Sequence, residues 1–137
     1  MNWIKKFLWI GIFLLVSITN GQTKNFQLST HVLDITEGKP DAKIQISLER
    51  YEKEHNNWVL VKTSKTDENG RISNFLPTSQ NNEGVYKLIF HTKPYFKNKG
   101  VNSFYPYIEI PFEINDQSHY HVPITVSPFG YSTYRGS

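Results

Sequence analysis

The reactive inventory of this chain is set by 5 histidines and the absence of cysteine. No thiol is available as a nucleophile or a soft metal ligand, so proton transfer falls to imidazole, which titrates near neutral pH. His31, His119 and His121 sit in segments that alternate polar and apolar residues, where side-chain direction can be assigned. Ser29, His31, Leu33 and Ile35 share one face, with Thr30, Val32 and Asp34 on the other. His119, His121, Pro123 and Thr125 lie opposite the apolar row Tyr120, Val122, Ile124 and Val126. If that row fills a core, His121 points away from it. His31 and His121 can meet only if their strands are neighbours, which the sequence does not state. Arg71, directly after Gly70, adds a permanent planar cation able to engage two oxygens or nitrogens together.

Each residue also has an ordinary reading. A histidine on the polar face of a strand is most often solvated, and an arginine after a turn glycine is usually a surface residue. Tyr134-Arg135-Gly136-Ser137 could be a frayed tail. His119 and His121, two apart on one face, are weak evidence for zinc without a second closely spaced ligand pair. Glu109 and Glu113 alternate with core positions and have no visible acid–base partner.

The elements that position these residues are strands. Ile44, Ile46 and Leu48 alternate with Lys43, Gln45, Ser47 and Glu49, as in a half-buried strand. Trp58–Thr66 is rich in Val and Thr, and Glu54–Asn57 reads as the hairpin turn between the two. Asp67-Glu68-Asn69-Gly70 is a turn, because Asn-Gly readily supplies positive φ. Gly84–Thr92 and Tyr107–Ile114 are further strands, Pro111 marking the second as an edge or a bulge. His119–Val126 follows, and Tyr131–Ser137 forms a last exposed or interface strand. Pro94–Gly100 fits a short helix capped by Gly100. With a first strand around Leu28–Ile35, about eight strands and one short helix make an all-β sandwich.

Residues 1–21 are expected to lie outside that domain. Lys5 and Lys6 precede an uncharged apolar run, Phe7–Ile18, and then Thr19, Asn20 and Gly21, the pattern of a secretory signal peptide. The run is short for a membrane span, which takes about 20 residues. The domain is then 22–137, periplasmic or secreted and detached from the membrane after cleavage. The segment removes two lysines from 15 Lys+Arg and none of 12 Asp+Glu, so the remainder is almost neutral and forms no basic patch for nucleic acid. Without disulfides the domain must be held by its core and interfaces; some of the chain's 8 Tyr, 9 Phe and 3 Trp lie in the removed segment, and the rest provide large apolar surfaces for both.

Three segments resemble the transthyretin-like 5-hydroxyisourate hydrolases. They are Leu28-Ser29-Thr30-His31-Val32-Leu33-Asp34 with Gly38-Lys39-Pro40, then Thr66-Asp67-Glu68-Asn69-Gly70-Arg71, and then Tyr120-His121-Val122-Pro123 with Ser127-Pro128-Phe129-Gly130-Tyr131-Ser132-Thr133-Tyr134-Arg135-Gly136-Ser137. The closing Tyr-Arg-Gly-Ser is the specific part, because it separates the hydrolases from the hormone-carrying transthyretins. Asp41, where a small residue is usual, and Ile124-Thr125-Val126, in place of a leucine-rich run, depart from the pattern.

The resemblance implies an eight-stranded transthyretin-like sandwich with one short helix. It also implies a homotetramer, a dimer of dimers with a channel lined by His31, Arg71, His121 and the Tyr134–Ser137 segment. The implied reaction opens the lactam ring of 5-hydroxyisourate, the unstable product of urate oxidation, with water. The product is 2-oxo-4-hydroxy-4-carboxy-5-ureidoimidazoline. In this scheme His31 and His121 activate water and transfer protons, Arg71 binds and polarises the substrate, and Tyr134 and Ser137 close the pocket. Water held by a histidine is preferred to Ser137 as a covalent nucleophile. No metal or other cofactor is expected. A carrier of the same fold, or an extracellular sandwich that binds polymers, is the alternative. Two histidines, an arginine and the terminal motif weigh against a carrier's apolar channel.

Overall fold

The computed structural model describes residues 25–137, so the expected signal segment, 1–21, lies outside the described residues. The described chain forms two packed β-sheets and one helix. In chain order these are β1 (Phe26–Asp34), β2 (Lys39–Pro40), β3 (Gln45–Glu52), β4 (Asn57–Lys65), β5 (Arg71–Pro77), β6 (Gly84–Phe90), α1 (Thr92–Asn98), β7 (Ile108–Ile114), β8 (Tyr120–His121), β9 (Ile124–Ser127) and β10 (Gly130–Thr133). One sheet runs β4-β3-β6-β7 and is antiparallel throughout. The other is organised around β1, which pairs antiparallel with β2 and β5 and parallel with β8 and β9, with β10 added beyond β9.

The core follows from the alternation. Leu28 and Val32 of β1, Ile46 and Leu48 of β3, Leu88 and Phe90 of β6, and Ile124 and Val126 of β9 are all buried in one cluster. Each such side chain contributes roughly 1.5–3 kcal/mol by leaving water. Ser29, His31 and Leu33, on the opposite face of β1, are only half-buried. Pro111 lies in β7, an edge strand of its sheet, where its missing N–H costs no ladder bond. The helix ends as expected: Gly100, at φ 70, donates to Lys97 O at 3.0 Å, and Val101 donates to Phe96 O at 2.9 Å.

Ten strand segments stand where about eight were expected. The segment read as one strand, His119–Val126, divides at Val122-Pro123 into β8 and β9, because proline cannot continue the ladder. Both halves still run beside β1, since Val122 donates to Ser29 O at 3.0 Å and Thr30 Oγ1 donates to Val122 O at 2.8 Å. β5, to which the sequence reading assigns no strand, pairs with β1 through a register shift between Leu28 and Thr30. That irregularity, with Leu76 at φ 57, breaks the period-two pattern and hides the strand.

Asp41 is buried against β1 and α1. Tyr95 of the helix donates its hydroxyl to Asp41 Oδ1 and lies 3.2 Å from Asp34 Oδ2. Lys99, at the end of the helix, bonds Glu37 at 2.7 Å and covers the Tyr95 ring at 4.4 Å. Asp41 Oδ2 is buried with no hydrogen-bond partner among the described residues. Burial, together with the negative charges of Asp34 and Glu37, raises the Asp41 carboxyl to about 6, against the opposing pull of Tyr95 and Lys99.

Candidate active site

β1 assembles the candidate site because one strand supplies the reference for both of its flanks. On one side, the Asp67–Gly70 turn feeds β5. Asp67 Oδ1 accepts the N–H groups of Asn69 and Arg71, both at 2.9 Å, and Gly70 N donates to Asp67 O at 2.9 Å. Gly70 is required there: its φ is +70°, and a Cβ would stand 2.6 Å from Val32 O. The turn delivers Arg71 directly opposite His31 in the antiparallel ladder, so the two side chains share a face. On the other side, parallel pairing sets His121 opposite Ser29. The condition for His31 and His121 to share a site, adjacent strands, is met.

The resulting face is half-buried at Ser29, His31, His119 and His121 and exposed at Arg71. His31 is pushed below its ordinary imidazole range, first by burial and then by the Arg71 cation. A hydrogen bond to the Asn69 backbone and the Asp67 carboxylate act the other way. The site therefore pairs an imidazole held towards its neutral, proton-accepting form with a cation beside it. Ser29 Oγ bridges the other two imidazoles, at 2.9 Å from His119 Nε2 and 2.8 Å from His121 Nδ1. His119 Nδ1 lies 3.1 Å from Phe26 O.

The closing segment is fastened to the same strand. Gly136 N donates to His121 O at 2.8 Å, forming an isolated antiparallel bridge. Arg135 lies over the Tyr120 ring at 4.4 Å, and its guanidinium donates to Ser118 Oγ at 3.2 Å. Ser137, exposed, follows Gly136 immediately beyond that bridge. Tyr134 lies in a groove with Pro111, Phe112, Val122 and Arg135, between the edge strands of the two sheets. Thus the fold gathers His31, Arg71 and His121 on one sheet face and brings the main chain of the last residues to its border, while the Tyr134 ring lies along the sandwich edge.

Sequence reasoning missed two participants. Ser29 entered only as a residue on the same face as His31, and His119 only as half of a weak metal pair. The signal that could have found them is the shared parity of Ser29 and His31 in β1 and of His119 and His121 at β8, but it acquires meaning only from the parallel register.

Comparison with known proteins agrees with this arrangement. Residues 28–136 match the model of the HIUase/transthyretin family. The chain is 44% identical over 124 residues to a probable 5-hydroxyisourate hydrolase of Caenorhabditis elegans, covering 90% of each. It is 42% identical to the 5-hydroxyisourate hydrolase of Mus musculus, covering 84% of this chain and 98% of the relative. Among solved structures, the complex of sea bream transthyretin with thyroxine superposes with a TM-score of 0.75 at 28% identity, covering 80% of this chain and 94% of the other. With residues 28–136 matched by the family model, from the central strand to the closing segment, the chain belongs to the HIUase/transthyretin family.

Proposed function

We propose that this protein hydrolyses 5-hydroxyisourate in urate degradation, at the sheet face that carries His31, Arg71 and His121. The observation that carries the reading is the placement of Arg71 across from His31 and of His121 across from Ser29, on opposite flanks of one strand. The identity of 42% to 44% with named hydrolases supports the substrate. Two strand spacings and one two-residue step separate the Arg71 and His121 backbones by about 12 Å. A purine-sized ring fits between side chains reaching inward from both.

In this reading an imidazole takes a proton as water adds to the lactam carbonyl. The negative charge that develops on the carbonyl oxygen is met by the Arg71 guanidinium. The carbon–nitrogen bond then breaks, the departing nitrogen takes a proton from an imidazolium, and a carboxylate remains. The lowered basicity of His31 keeps it neutral, and so able to act as a base, at physiological pH. Ser137 is assigned to closing the pocket through the Gly136–His121 bridge next to it, and Tyr134, whose ring lies in the groove along the sandwich edge, only as part of the same terminal segment.

Arg71 is exposed and His31 and His121 are only half-buried, and catalysis gains from a cover that excludes water. The proposal therefore includes a homotetramer, with the face lining a channel between dimers. Export to the periplasm or the cell exterior, argued from Lys5-Lys6 and Phe7–Ile18, belongs to the same reading. A carrier role is the weaker alternative, because a charged guanidinium and several imidazoles suit reaction better than storage of an apolar ligand. The test is the ultraviolet decay of freshly generated 5-hydroxyisourate with purified protein. Acceleration well above the spontaneous rate is expected; an unchanged rate refutes the enzymatic reading.

A further inference from the structure

The hydrogen bonds around Ser29 can be oriented from one end. The Phe26 carbonyl accepts and cannot donate, so His119 Nδ1, 3.1 Å away, carries a hydrogen. A neutral His119 then has a lone pair at Nε2, which accepts the Ser29 hydroxyl hydrogen across 2.9 Å. With its hydrogen committed, Ser29 Oγ must accept from its other neighbour, His121 Nδ1, across 2.8 Å. His121 Nδ1 is therefore the protonated nitrogen, and in the neutral ring Nε2 holds the lone pair. The opposite direction would set a lone pair of His119 Nδ1 against the Phe26 carbonyl oxygen.

We infer that Ser29 and His119 are positioning residues that hold His121 in the tautomer whose Nε2 is unprotonated, and thereby make His121 a base for water activation. The inference deepens the proposed function and rests on it for the identity of the reaction. Phe26, Ser29, His119 and His121 come from β1 and the segment entering β8, so the parallel pairing that places His121 also builds the device that orients its ring. The proton taken from water goes to Nε2 and gives an imidazolium that still donates from Nδ1 to Ser29, so the relay need not reorganise during the step. Neither Ser29 nor His119 has to touch the substrate. They act through the ring of His121, much as a partner that fixes one imidazole nitrogen decides which form the other presents.

The test separates this device from the reaction itself. In the full chain labelled with 15N-histidine, the His121 resonances at neutral pH should show a protonated Nδ1 and an unprotonated Nε2. Ser29→Ala and, independently, His119→Phe should shift His121 towards the other tautomer. Both should lower kcat by about tenfold or more, a part of what a positioned acid–base group supplies, with KM nearly unchanged. Ser29→Thr, which keeps the hydroxyl, should restore both the tautomer and most of kcat. If one alanine or phenylalanine variant fails to fold, the other carries the comparison. Hydrogen on Nε2 in the unsubstituted protein, or a His121 tautomer indifferent to both variants, overturns the relay even if hydrolysis is fast. A chain that shows the expected tautomer but does not hydrolyse 5-hydroxyisourate overturns the role of His121 as base, together with the proposed activity.

Discussion

Gly136 packs directly against the imidazole of His121. A Cβ built at residue 136 would stand 2.5 Å from His121 Cδ2 and 3.2 Å from Cγ, while the Gly136 N–H donates to His121 O at 2.8 Å. The absence of a side chain at 136 thus sets where the His121 ring can lie. Gly136→Ala should displace that ring and lower turnover by about tenfold or more. The melting temperature should change little, because the core cluster lies on the other face of β1. An alanine variant with normal kcat would show that the contact does not control the ring.

Alanine at His31, Arg71 or His121 should each reduce kcat/KM by roughly a hundredfold or more, the scale of one positioned acid–base or charge-stabilising group. All three lie outside the core, so thermal melting and secondary structure should be close to those of the unsubstituted protein. Three folded variants that all keep normal turnover would place the chemistry elsewhere.

The titration of His31 should respond to Arg71 with a definite sign. Burial and the Arg71 charge both lower it, burial more strongly. Arg71→Gln removes one of the two, so His31 should take up its proton at a higher pH than in the unsubstituted protein. An NMR pH titration of the His31 ring reads this without an activity assay. A downward shift would contradict the assigned cause.

Asp41 should make stability depend on pH in the direction opposite to a paired surface carboxylate. Its folded value of about 6 lies above the ordinary 3.8. The unfolded chain therefore loses this proton first as pH rises. The group's contribution is full below about pH 4, falls as pH increases, and is gone above the folded value. Asp41→Asn, which cannot ionise, should match the unsubstituted protein most closely in acid and surpass it by roughly 1–3 kcal/mol near pH 7.5. Thermal melts of both proteins across pH 4.5–7.5 check the sign, about two degrees or more being resolvable. A gap that narrows towards high pH would be the wrong outcome.

Much of the sandwich was legible because its strands bury one face. Ile44, Ile46 and Leu48, and likewise Tyr86, Leu88 and Phe90, alternate with polar residues and are buried as that alternation requires. Turn chemistry was equally readable at Asp67–Gly70, where the positive φ of Gly70 is a steric demand. β5 was hidden, since Ser73 and Asn74 fall together before Phe75 and the register shifts opposite them. For the site, residue type and parity gave the faces of His31 and His121, but not their adjacency. Parallel pairing between segments 92 residues apart, as for Ser29 and His121, leaves no local trace in the chain. The Ser29 bridge is a product of that pairing and was invisible for the same reason.

The central position of β1 has a consequence for how this constellation can vary. Ser29 and His31 occupy one parity of a single nine-residue strand, and Arg71 and His121 are placed by pairing to it. Side chains of a strand alternate between faces, so the insertion or loss of one residue before Ser29 would exchange the parities. With the preceding residues held in register, it would turn Ser29 and His31 towards the sandwich interior and Thr30 and Val32 outward together. Point changes can adjust the site residue by residue, but length changes in this strand cannot leave it half altered. The candidate face and the apolar face are two parities of the same nine positions, so a length change that no bulge absorbs alters both together.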